Sequence, residues 1–408
     1  MTHGVGGASE EQALSTLENM AGQVGPIELE EYQQRVGKAQ SLMRQKGIDA
    51  LYLNAGTNLE YFTGLRWYAS ERLVGAIVFK EGPITLIAPA FEQGSLEQAM
   101  ILSLETLLWE EHESPTEKML EFLAARVGEN CKLAIDESTA YALVSKLDNN
   151  KQGISLCDGA VISAECRMHK SASELKIIQT AMDMTLKVHQ ATASMLREGM
   201  TTAQVRAFID QAHKKLGAPG SSFCIVLFGQ ATAYPHGVNF EQTLQKNDWV
   251  LIDTGCKLFG YNSDITRTYA YGAPTEAQRE FWEYERRLQE VAFNAAQLNN
   301  TCASVDDVVR DELKQLNLQA DYKLPGVPHR TGHGIGMDIH EWPYLVGGDE
   351  TALAPGMCFS NEPMVINPEQ FGVRLEDHFY MTESGARWFT EPSRNLDDPF
   401  NLLSDGGN

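Results

Sequence analysis

The chain has 408 residues, 43% of them hydrophobic, with a net charge of -22 at pH 7 and a pI near 4.9. That length exceeds what one hydrophobic core usually organises, so two domains are expected. So acidic a surface repels phosphate at long range, which argues against a nucleic acid or an anionic membrane as partner.

Residues 1–28 are rich in Gly, Ser and Glu with weak apolar periodicity and read as an arm or a loosely docked helix. They lack the basic start and apolar stretch of a secretory signal, and no run of 18 apolar residues occurs elsewhere, so a soluble cytoplasmic protein is expected. The seven cysteines are odd in number and scattered, without a C-x-x-C pair; they fit reduced thiols, and none is assigned to metal.

Leu29 to Gly47 has helical periodicity. Short apolar strands follow at Ala50–Leu53, Leu73–Phe79, Ile84–Ile87 and Lys132–Ile135, with helices over Pro115–Arg126 and Thr139–Leu147. This pattern is an α/β domain spanning 29–165. A second domain, 166–408, opens with Ser171 and Glu174 at capping-box spacing ahead of a helix to about Arg197. It carries an internal repeat: Thr201, Ala203, Val205, Lys214 and Leu216 recur 100 residues on as Thr301, Ala303, Val305, Lys314 and Leu316.

The chemistry concentrates in three segments of that second domain. Trp249–Gly255 is an apolar strand that carries Asp253; a hairpin folded about Leu258 and Phe259 sets Asp253 opposite Asp264. A second hairpin, folded about Glu369, sets Glu362 opposite Glu376. Carboxylates facing each other across strands repel, so each pair must share a proton or bind a cation. The third segment is His329 to Glu341, where Gly332 and Gly334 flank His333, the chosen nitrogen ligand, and His340 stays free to hydrogen-bond a substrate. Four carboxylates and one imidazole balance two divalent ions and suit Mn²⁺ first, with Co²⁺ or Zn²⁺ as alternatives. Ions so held activate water and polarise a carbonyl, which is metal-assisted hydrolysis.

These segments resemble the pita-bread metallopeptidases, the group of Xaa-Pro dipeptidases (prolidases), Xaa-Pro aminopeptidases, methionine aminopeptidases and creatinase. The resemblance covers nearly the whole chain. Gly56–Gly64 and its surroundings look like the creatinase-type N-terminal domain, while Gly332–Gly336, Ser360–Pro363 and Gly372–Asp377 join Asp253 and Asp264 in the C-terminal match. It implies an α/β creatinase-like domain followed by an α+β pita-bread catalytic domain with a pseudo-twofold repeat. It implies Asp253, Asp264, His333, Glu362 and Glu376 as metal ligands, Asp264 and Glu376 bridging, with Glu362 also shuttling a proton. By the same resemblance His236 holds the substrate and His340 stabilises the tetrahedral intermediate. Arg374 either orients Glu376, with which it shares a strand face, or acts as a salt bridge holding the site together.

The resemblance implies hydrolysis of the Xaa-Pro bond of a dipeptide by a homodimer in which the N-terminal domain of one subunit closes the other's site, with Trp67 or Arg72 in that part. Tyr344, a substrate-contact candidate, stands where some archaeal prolidases carry the Arg that binds the terminal carboxylate. Xaa-Pro aminopeptidase action on longer peptides is the alternative. A non-peptidase enzyme, or a non-catalytic interaction module on the same fold, is the further one.

Overall fold

The first long helix runs Leu29–Lys46 and ends where Gly47 takes the left-handed conformation, φ 64°, that closes helices without a Cβ penalty. In the computed structural model, which describes residues 2–150 and 153–403, this helix opens one of two units. That unit is Ile27–Arg167; the other holds the residues before Ile27 and after Arg167.

The Ile27–Arg167 unit is built on a six-stranded sheet. Its spatial order is Glu105–Trp109, Thr85–Pro89, Gly75–Phe79, Ala50–Asn54, Lys132–Ile135, Ser155–Asp158. Ala50–Asn54 pairs antiparallel with Gly75–Phe79 and parallel with Lys132–Ile135, a mixed α/β sheet. The four inner strands are the ones read from the sequence. Glu105–Trp109 and Ser155–Asp158 were not anticipated because they are the two edges: each keeps exposed positions, so neither needs a continuous apolar run.

Residues 1–28, expected as an arm or a loosely docked helix, divide at the unit boundary, and those up to Pro26 are part of the C-terminal unit. Gly6 and Ala8 donate their N–H groups to the carbonyls of Ala193 and Ser194 at 2.8 and 2.9 Å, and Met20 donates to Leu216 at 2.8 Å. Between them the helix Glu10–Ser15, closed by a Ser9–Gln12 capping box, buries Ala13, and Leu17 is buried just beyond it. Six helical residues are too few for periodicity to choose between an arm and a docked helix.

In the C-terminal unit the repeat is structural. Helix Ala172–Met195, closed by the Ser171–Glu174 capping box, leads to helix Thr202–Leu216; Glu276–Ala295 leads in the same way to Cys302–Gln315. Thr201 and Thr301 are both N-caps, accepting from the backbone of Gln204 and Ser304. Each also bridges to an incoming loop, Thr201 to Thr243 and Thr301 to Ala352. Three antiparallel strands serve the first repeat, Ser221–Phe228, Trp249–Leu258 and Ile265–Ala270; the second uses Gly332–Gly334, Cys358–Asn361 and Asp377–Thr382 within a five-stranded sheet. The halves are joined beside the acids by a fully buried bidentate pair: Arg267 Nη2 and Nη1 donate to Asp377 Oδ1 and Oδ2 at 2.7 and 3.1 Å. Arg267 Nη1 also donates to the carbonyl of Glu376 at 2.9 Å, which fixes the backbone that presents that acid.

Candidate metal centre

The first hairpin turns at Phe259 and Gly260, both with positive φ (46° and 92°), and not at Leu258 and Phe259. Asp253 therefore faces Thr266, and the expected pairing of Asp253 with Asp264 is corrected by two residues. A slip of two keeps every side chain on its face, so both acids still point the same way. The second hairpin has the expected register: Glu369 takes φ 60°, Met364 pairs with Arg374, and Asn361 pairs with Asp377 beyond the Glu362–Pro363 interruption. Glu362 and Glu376 lie at matching positions in that gap. Gly332 and Gly334 serve strand packing: a Cβ on either would lie 2.1 Å from the carbonyl oxygen of Ser360 or 2.4 Å from that of Glu341. They let two neighbouring strands close on His333.

Donor atoms of Asp264, His333, Glu376 and His378 lie within 4.8 Å of one another, all buried. His333 Nδ1 donates to the Gly334 carbonyl at 3.0 Å, which turns Nε2 toward the acids, 3.0 Å from Glu362 Oε1 and 3.9 Å from Asp264 Oδ2. The 3.0 Å contact holds only with a hydrogen or a cation between the two atoms. Asp253 enters through Arg374, whose Nη2 donates to its Oδ2. Thr266 Oγ1 donates to Glu376 Oε2 at 2.7 Å and accepts from Arg374 Nε at 3.1 Å. Arg374 therefore pairs chiefly with Asp253 and reaches Glu376 only at 4.0 Å, so the salt-bridge alternative describes it better than direct orientation of Glu376.

Asp253 Oδ1, Asp264 Oδ1 and Glu376 Oε1 are buried oxygens without a hydrogen-bond partner among the described residues. Unit charges 4.8 Å apart repel by about 3–4 kcal/mol at an effective dielectric constant near 20. Burial first, then the neighbouring carboxylates, push the pKa values of Asp264 and Glu376 well above the usual range. Burial also raises Asp253, against the pull of Arg374. Burial acts the same way on Glu362, but the hydrogen bond and charge of His333, with His329 and Arg374, outweigh it and hold that acid low. Arg374 offsets one of four negative charges. Three remain, which one dication leaves short and two cover. The orphaned oxygens and hard donors fit such ions.

The remaining predicted residues gather around this core. The His340 ring meets that of His333 edge-on, centroids 4.1 Å apart. Partial burial and then the His333 charge push its pKa down to about 4, leaving a neutral imidazole that can donate a hydrogen bond. His236 is exposed on the segment whose Pro235 carbonyl accepts from Arg374 Nη1 at 3.5 Å, within electrostatic range of His340. Tyr344 pairs across the strand with His333, and the Arg330 guanidinium stacks on its ring, 4.2 Å from the centroid.

Besides Arg330, three side chains at the site were missed in the sequence. Ser360 Oγ accepts from His333 N at 2.8 Å and donates to Glu362 Oε1 at 3.2 Å. His329 acts electrostatically on Glu362. His378 is the third, and its signal was available: it stands two residues after Glu376, on the same face of an extended segment.

A buried set of carboxylates and imidazoles at the meeting of two repeated halves is the centre of a metal-dependent enzyme. Residues 176–383 match the model of metallopeptidase family M24, and residues 35–169 match the creatinase/prolidase N-terminal domain. The chain is 31% identical over 366 residues to the Xaa-Pro dipeptidase of Lactobacillus delbrueckii subsp. lactis, covering 88% of this chain and 97% of that protein. Among solved structures, it superposes on dipeptidase PepE from Mycobacterium ulcerans with a TM-score of 0.84 at 31% identity, covering 91% of this chain and 99% of that one. Prolidase from Thermococcus sibiricus gives 0.81 at 30% identity, with 91% and 99% covered. The chain belongs to metallopeptidase family M24, with a creatinase/prolidase N-terminal domain.

Proposed function

We infer that this protein hydrolyses the Xaa-Pro bond of dipeptides, and that Asp253, Asp264, His333, Glu362 and Glu376 would hold two divalent ions, with Asp264 and Glu376 serving both. The observation that carries the reading is the convergence of Asp264, His333 and Glu376 within 4.8 Å, with Glu362 3.0 Å from His333, in a chain of this family. When bound, the ions supply an activated water and a polarised carbonyl. Glu362 takes the proton of the attacking water and carries it to the proline nitrogen. The neutral His340 donates a hydrogen bond to the oxygen that gains charge at the carbonyl. His236 steadies the peptide from its exposed loop. Hard oxygen donors favour Mn²⁺. Seven free cysteines agree with a cytoplasmic location, and a homodimer completes the reading.

Preference for dipeptides is supported by Arg330. Tyr344 leaves no cation at its own position but holds the Arg330 guanidinium on the face of its ring, beside His333. Among the described residues no acid pairs with it, so it is available to a terminal carboxylate. The test is turnover of Met-Pro, Met-Pro amide and Met-Pro-Gly with Mn²⁺, with and without chelator. Met-Pro is expected to be cleaved fastest, chelator to abolish cleavage, and Arg330→Gln to raise KM for Met-Pro by about 10- to 100-fold while leaving the amide unchanged. Cleavage of Met-Pro-Gly alone would replace this reading with the aminopeptidase.

A further inference from the structure

Both ring nitrogens of His378 are buried and lack a hydrogen-bond partner among the described residues, and the residue is 0% exposed. A polar ring in that state is costly unless something outside the protein completes it. Its surroundings are specific. It pairs across the sheet with Ser360, which itself holds His333 and Glu362, and its ring centroid is 5.9 Å from that of His333. A His378 nitrogen falls within 4.8 Å of side-chain donor atoms from Asp264, His333 and Glu376 and hydrogen-bonds to none of those side chains; its polar neighbour on the main chain is the backbone of Asp264, outside good hydrogen-bond geometry. Ligands of one ion, with bonds of about 2.0–2.2 Å, stand about 3–4.4 Å apart, too far for hydrogen bonds and close enough to share the ion. The 3.9 Å between His333 Nε2 and Asp264 Oδ2 is such a separation.

We propose that His378 is a further metal ligand, so that one ion takes two imidazoles, His333 and His378, with the carboxylates of Asp264 and Glu376. The inference rests on the metal centre of the preceding section and adds a donor to it. Its consequence is selectivity. A second imidazole moves the centre from an oxygen-rich set suited to Mn²⁺ toward Zn²⁺ or Co²⁺, which accept nitrogen more readily.

Two measurements test it, neither of them turnover. X-ray absorption at the zinc edge of the wild-type protein loaded with two ions per chain is expected to give an average of about one imidazole per zinc; with His333 alone the average is about one half. Competition titrations then compare wild type with His378→Val and His378→Gln. Zn²⁺ affinity is expected to fall by about a hundredfold and Mn²⁺ affinity by less than about tenfold. One half imidazole per zinc, or equal losses for the two metals, overturns the role of His378 alone. Absence of metal uptake by the wild type overturns the metal centre itself. Should both variants fail to fold, the absorption measurement still decides.

Discussion

Asp264→Asn is expected to lower Met-Pro hydrolysis by at least about a thousandfold, because losing one of the carboxylates proposed to hold the ions removes several kcal/mol of transition-state stabilisation at about 1.4 kcal/mol per decade. The same change should stabilise the metal-free protein. Burial, Glu376, Asp253 and Glu362 all raise the Asp264 pKa, so its ionised form opposes folding at neutral pH, and that cost disappears as pH falls through the raised value. An amide of the same shape removes the repulsion, a gain on the order of 2 kcal/mol. Wild-type protein should melt higher with Mn²⁺, since a ligand that binds only the native state stabilises it, whereas the variant should gain little. Thermal melts of both proteins, with and without metal, check the account. A variant that is less stable than wild type without metal, or one that keeps the metal-induced rise, contradicts it.

Arg374→Met is expected to act in the opposite direction. Its guanidinium is the cation seated among the acids, paired with Asp253 and hydrogen-bonded to Thr266. Removing one partner of a buried pair leaves an uncompensated charge and costs about 3–5 kcal/mol. Divalent metal should recover much of that loss, because the ions then balance the acid that Arg374 no longer covers. Urea unfolding with and without Mn²⁺ measures both terms. Equal destabilisation in the two conditions would mean that Arg374 contributes packing alone, with no part in the charge balance.

Legibility in the sequence followed the kind of signal each residue sends. The inner strands of the N-terminal unit are nearly continuous apolar runs and were read in place, whereas the edge strands Glu105–Trp109 and Ser155–Asp158 carry no such run. The Glu362–Glu376 hairpin was placed in register because Glu369 is its turn, and the Asp253 hairpin slipped because Phe259–Gly260 turns instead of Leu258–Phe259. Periodicity cannot choose between those turns, but it protects the face, which is why the acids still converge. Arg374 reads as a neighbour of Glu376 along the strand and turns out to hold Asp253 from a different hairpin, a contact between halves that spacing does not report. Arg330 and His378 were passed over for another reason. Arg330 acquires its meaning from contact with the Tyr344 ring, which spacing does not report, whereas His378 carries its signal two residues beyond Glu376 on the same face, outside the facing carboxylate pairs.

The central claim is that the acids and imidazoles come together in order to hold cations. A crystal structure of the protein soaked with Mn²⁺, with anomalous scattering recorded, tests this most directly. Two peaks are expected between Asp264 and Glu376, one adjoining Asp253 and the other adjoining His333 and Glu362. Anomalous density absent from this cluster while manganese is seen elsewhere on the protein would contradict it.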